Sequence, residues 1–169
     1  MTIEEAIKTG IEFEQQVRLV YADAATRFAD PVARRVLSVL AAEESRHIEY
    51  LENRLQEWQR TGRITAASLD SAIPSRDAIE AGVRTLTGKL GPQDVTAELA
   101  MLKKALALEI EASTFFKKMV AALTAEEQEL FARFVEIEEG HEAIVQAEID
   151  ALTGLGFWFD YGEFRLEGA

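Results

Sequence analysis

The chain of 169 residues contains no cysteine. Disulfides, zinc fingers, thiolate iron sites, iron–sulfur clusters and a cysteine nucleophile are therefore excluded. Turn formers are scarce, with 3 prolines and 10 glycines, so long uninterrupted elements are expected. No apolar run approaches the roughly 20 residues of a membrane span. Basic residues are outnumbered, 18 against 30 acidic ones, for a net charge of −12. Such a chain is a poor partner for nucleic acid or an anionic membrane surface. The opening Met1-Thr2-Ile3-Glu4-Glu5 lacks the basic and apolar regions of a signal peptide. A cytoplasmic domain is expected.

What is abundant is glutamate: 23 of the 30 acids are Glu and 7 are Asp. That bias fits helices, since Asp favours caps and turns. Capping patterns divide the chain into four long helices. Thr2-x-x-Glu5 reads as a capping box opening a helix over about 3–28. Asp30-Pro31 opens a second, to about residue 60, with Gly62 where a C-cap glycine would stand. Asp94, after Gly91-Pro92, is the expected cap of a third, running to about 123. Thr124-x-x-Glu127 opens a fourth that ends near Gly154. The connections at 29–30 and 124 are short, which implies two antiparallel hairpins. Residues 61–93 form a long crossover, where Ile79, Val83, Leu86 and Leu90 keep a helical spacing. The expected fold is all-α: an antiparallel four-helix bundle over 1–154, with a short helix in its crossover and an aromatic tail over 155–169.

The two halves repeat. Glu14-x-x-Val17-x-x-Val20-Tyr21 matches Glu109-x-x-Ala112-x-x-Phe115-Phe116, 95 positions later. Glu44-x-x-His47 matches Glu138-x-x-His141, 94 positions later. A near-constant offset on four helices suggests a two-fold pseudosymmetric bundle.

Each helix has an apolar seam at the spacing of bundle cores. The first reads Ile7, Gly10, Glu14, Val17, Tyr21, Ala24, Phe28, and the second Leu37, Leu40, Glu44, His47, Leu51, Arg54, Trp58. The third reads Leu102, Ala105, Glu109, Ala112, Phe116, Met119, and the fourth Phe131, Phe134, Glu138, His141, Val145, Glu148, Leu152. Six polar residues thus fall mid-seam at one level: Glu14, Glu44, His47, Glu109, Glu138 and His141. Four unpaired carboxylates in one core would each cost several kcal/mol. No Lys or Arg stands at that level to offset them, whereas two divalent ions would bring +4 against −4. Carboxylate with imidazole suits iron or manganese, and without thiolate does not point to structural zinc. A Glu stands three before a given His by chance with a likelihood of roughly one in seven, and before both histidines roughly one in fifty. One Glu from each of two helices, plus Glu-x-x-His from the other two, is the ferritin-like dimetal constellation.

On these residues the chain resembles the rubrerythrin-like branch of the ferritin-like superfamily, over about 3–60 and 94–164. The carriers are Glu14 through Tyr21, Glu43-Glu44-Ser45-Arg46-His47, Glu109 through Phe116 and Glu138-Glu139-Gly140-His141. The tail Leu155-Gly156-Phe157-Trp158-Phe159-Asp160 is similar as well. The resemblance implies two iron ions, with manganese or zinc as substitutes. Glu44 and Glu138 would bridge them. Glu14 with His47 would serve one ion, and Glu109 with His141 the other. Tyr21, two turns from Glu14 on the same face, is either a donor to the ligand set or a packed core tyrosine. Glu43, Glu111 and Glu139 fall outside the ligand set, either placed just behind the ligands or solvated. Two departures from the family matter. Its four-cysteine rubredoxin site is excluded here, and its further Glu, three after the third-helix ligand, is Ala112. The remaining six-ligand set looks more like that of bacterioferritin.

The implied function is that of a di-iron oxidoreductase, oxidising Fe(II) or reducing O₂ or hydrogen peroxide, with an external electron donor possible. A bacterioferritin-like iron store and a di-iron monooxygenase acting on an organic substrate are the alternatives. A homodimer is expected rather than a cage. Five aromatics fall within 157–164, either an arm packed on its own bundle or a dimer contact or cover over a neighbour's site.

Overall fold

The computed structural model of the chain describes residues 1–65, 68–83 and 95–153. Five helices follow one another: α1 (Ile3–Arg27), α2 (Pro31–Thr61), α3 (Arg76–Val83), α4 (Thr96–Ala122) and α5 (Ala125–Leu152). No strand occurs among the described residues. Nor is any described helix long and apolar enough to cross a membrane.

Local chemistry sets most of the ends. The Thr2 hydroxyl accepts the Glu5 N–H at 3.2 Å, and the Glu5 carboxylate accepts the Thr2 N–H at 2.8 Å. The Asp30 carboxylate accepts from Val32 and Ala33 at 2.7 and 3.0 Å, and Pro31 fills the first helical position. Gly62 closes α2 in the left-handed conformation, φ 67°, that favours glycine. At the head of α5 the Glu127 carboxylate takes up the Thr124 N–H at 3.1 Å. The start of α4 departs from expectation. It begins at Thr96, after Val95, and has no side-chain cap, because valine carries no acceptor. Asp94 and Gly154 lie outside the described residues.

Four long helices pack as two hairpins: α1 lies along α2 and α4 along α5, with α1 against α4 and α3 against α5. Seam residues are buried throughout, except for the partly exposed Arg54, Trp58 and Leu152. They fall into two apolar clusters. One holds Val17, Tyr21, Leu37, Leu40, Leu102, Ala105, Ile144 and Val145. The other holds Ile3, Ile7, Leu51, Phe116, Phe131 and Phe134. Cluster membership gives the directions of the helices. The end of α1 meets the starts of α2 and α4 and the end of α5, so α1 and α5 run one way and α2 and α4 the other.

This arrangement forces a long crossover. Helix α2 ends beside the second cluster, and α4 starts beside the first. The chain between them must travel the length of the bundle. Leu69 belongs to the second cluster, while Ile73 and Ile79 belong to the first. The amphipathic helix expected in the crossover is α3, with Ile79 buried. Leu86, Leu90 and the aromatic tail over 155–169 lie outside the described residues.

Candidate metal centre

Between the two apolar clusters lies a single polar layer. Glu14 from α1, Glu44 and His47 from α2, Glu109 from α4, and Glu138 and His141 from α5 all meet there. Each is at most 1% exposed. The reason is periodic. Each helix presents its seam at alternating steps of three and four, so a polar residue at one step faces the same residues that its leucine neighbours face. A Glu-x-x-His step places both side chains on that face, one turn apart.

Both imidazoles turn Nδ1 toward the carboxylates. His47 Nδ1 lies 3.0 Å from Glu14 Oε2 and 3.1 Å from Glu44 Oε2. His141 Nδ1 lies 2.8 Å from Glu44 Oε1 and 3.5 Å from Glu109 Oε1. Glu138 stands between the rings, with Oε1 at 3.8 Å from His47 Nδ1 and Oε2 at 3.8 Å from His141 Nδ1. Glu44 and Glu138 therefore each direct one oxygen to each histidine, whereas Glu14 faces His47 and Glu109 faces His141. The rings are stacked, centroids 5.5 Å apart at 13°. Phe134 sits edge-on to His47 at 5.4 Å.

The bonding is incomplete for so deep a site. Glu14 Oε1, Glu109 Oε2, both oxygens of Glu138, and Nε2 of both histidines have no hydrogen-bond partner. Glu44 Oε1 and His141 Nδ1 are close but also lack hydrogen-bond geometry. Buried polar atoms are normally satisfied, and lone pairs converging on one another are the exception a cation explains. Ligand atoms within 4.8 Å of one another form two groups: Glu14, Glu44, His47 and Glu138, and Glu44, Glu109 and His141. The donor set fits divalent metal.

No known family, curated protein or solved structure matches this chain.

The polar layer is strained electrostatically. Burial, and then the Glu44 charge, push the Glu14 carboxyl well above its ordinary range. Burial, followed by Glu14, Glu109 and Glu44, does the same to Glu138. Burial also opposes charge on Glu109, but His141, Glu138 and Tyr21 together hold it below the usual value. Burial lowers His47. It works against the charged form of His141 too, yet Glu44 and Glu109 raise that group to about 10. Burial and the neighbouring carboxylates thus favour the protonated forms of Glu14 and Glu138, and the carboxylates favour that of His141.

Tyr21 is fully buried within the first apolar cluster. Its hydroxyl donates to Glu109 Oε1 on the neighbouring helix α4. Burial, then the Glu109 charge, keeps this phenol well above its ordinary range, so it stays a donor. Its repeat counterpart, Phe116, packs on Phe131 and Phe134 instead. Ala112, where the resemblance would place another Glu, is fully buried. Glu111 is exposed, and Glu139 pairs with Lys117 at 3.0 Å. Glu43 is different: it is fully buried and groups with His47 and His141. The sequence carried one signal for it, its position four before His47 on the same helix.

Proposed function

We propose that this chain is a ferritin-like dinuclear metal protein of the rubrerythrin-like kind, acting as an oxidoreductase between Fe(II) and O₂ or hydrogen peroxide. The observation that carries this reading is the pair Glu44 and Glu138. Each offers one oxygen toward each histidine, the disposition a bridging carboxylate requires. Glu14 with His47 would complete one position, and Glu109 with His141 the other. Hard oxygen donors with imidazole favour iron or manganese. Two divalent ions would balance the four carboxylates. When bound, two ferrous ions supply two electrons to one peroxide: 2Fe²⁺ + H₂O₂ + 2H⁺ → 2Fe³⁺ + 2H₂O.

The residues of the chain do the rest. The carboxylates favour the higher charge of the product. Apolar clusters on either side exclude bulk water from the layer. The Tyr21 hydroxyl holds a proton at Glu109 Oε1. With no cysteine in the chain, reducing equivalents come from an external donor or from incoming Fe(II).

Elemental analysis of aerobically purified chain, then stopped-flow mixing of its ferrous form with O₂ and with H₂O₂, tests the proposal. Two irons per chain, oxidised by at least one of these oxidants within the dead time to seconds range, is the expected result. A chain that retains no metal after reconstitution would overturn it.

A further inference from the structure

A metal-bound histidine usually donates its other ring N–H to an acceptor, which fixes the tautomer and the ring plane. Here both Nδ1 atoms face the carboxylate layer, leaving both Nε2 atoms buried and without a hydrogen-bond partner. Glu43 is the carboxylate grouped with both rings, a single oxygen of it within 4.8 Å of a nitrogen of each. It is not a fourth member of the repeat. The position that matches it in α5 is Ile137, apolar and buried. Among the described residues, the carboxylate that groups with both histidines together is thus contributed by α2 and has no counterpart in α5.

Glu43 is itself held from outside the bundle. The Ser71 hydroxyl donates to Oε2 at 2.7 Å, and the Ala72 N–H donates to Oε1 at 3.1 Å. Arg46, one turn on, pairs with the same carboxylate. Ser71 and Ala72 belong to the crossover, where it passes the polar layer on its way along the bundle. The strap is seated close: a methyl group on Gly140, next to His141, would stand 2.8 Å from the Pro74 carbonyl oxygen.

We propose that Glu43 is a shared positioning residue that accepts the Nε2–H of both His47 and His141, and that Ser71 and Ala72 of the crossover fix it there. This rests on the dinuclear reading for what the histidines hold, though not for how they are oriented. Neutralising or moving one carboxylate would then disturb both metal positions at once, and loosening the crossover would be felt at the histidines.

The chain has two histidines, so long-range ¹H–¹⁵N spectra of the full-length protein show two rings and no others. Zinc loading keeps the sample diamagnetic. In the parent, both rings should carry their proton on Nε2, protected from solvent exchange. Glu43→Gln should shift both Nε2–H signals and speed their exchange, and should lower zinc affinity about 10-fold at both positions. Ser71→Ala, which leaves α2 intact, should move the same two signals in the same direction by less. Glu43→Asp, which retains the charge, should restore part of the parent spectrum. A response from one ring only, or from neither, would overturn the proposal. If the parent takes up no zinc, the dinuclear reading fails, and the Nε2–H signals of the metal-free protein still decide the role of Glu43.

Discussion

Glu44 and Glu138 differ from Glu14 and Glu109 in what each can reach, and that difference sets what their loss should do. Each of the first pair approaches both histidines, and each of the second approaches one. Glu44→Ala or Glu138→Ala should therefore lose both metals, while Glu14→Ala should retain about one per chain, at the His141 side. Elemental analysis after equilibration with Mn(II) reads the stoichiometry directly. Equal loading of these variants and the parent would contradict the assignment. Tyr21 works through Glu109. Tyr21→Phe keeps the ring in its packing and removes one hydrogen bond to the carboxylate. Loss of such a partner typically weakens metal binding by about 10–100-fold. The loss should fall on the position served by Glu109 and His141, seen as one weakened site in a chelator competition. Two unchanged sites would return Tyr21 to a packing role.

Among the elements, the long helices were legible because their ends are written in side chains. Thr2 and Glu5, Asp30 and Pro31, Gly62, and Thr124 with Glu127 all stand where the pattern places them. The seam residues then locate the polar layer, because the period of a helix is enough to say which side chains meet. The crossover was not legible in this way. Leu69, Ile73 and Ile79 bury apolar side chains, but two of its closest approaches to the bundle are made by backbone atoms, the Ala72 N–H and the Pro74 carbonyl, which leave no residue-type signature. Glu43 is buried with the Ser71 hydroxyl and the Ala72 N–H bonded to it, and those crossover contacts are ones that helical periodicity does not announce. Gly140 carries the same information. In an exposed helix interior, Gly→Ala would gain about 1 kcal/mol. Here the added methyl would meet a backbone oxygen at 2.8 Å, and the strap must shift. Gly140→Ala should therefore destabilise, by about 1–3 kcal/mol as overpacking does, and should raise proteolysis or hydrogen exchange in residues 68–75. Denaturant unfolding with a gain in stability would show that the strap yields freely.

For the whole molecule, the polar layer divides one core into two, and the sign of its electrostatics makes stability depend on pH and metal together. Glu14 and Glu138 have carboxyls raised above 4.5, and His141 is raised from 6.5 to about 10. A group raised on folding adds stability below its unfolded value and loses it as pH climbs through the folded one. Glu109 and His47 are lowered, and their contributions change only below 4.5 and 6.5 respectively. Above pH 6.5 the raised groups act alone. The chelated protein should accordingly melt at lower temperature as pH rises from 7 to 9. Metal reverses the dependence, because ions compete with the same protons and bind better as the ligands lose them. Saturation at a hundredfold excess over Kd adds about 2.7 kcal/mol, or roughly 5–10 °C for a chain of this size. The gap between Mn(II)-loaded and chelated melting curves should widen from pH 7 to pH 9. Glu138→Gln, which cannot ionise, should flatten the slope of the chelated form by removing one raised carboxyl and its repulsion of Glu14, Glu44 and Glu109. A chelated protein whose melting temperature rises with pH over that window would mean that the carboxylates are balanced by something other than protons or metal.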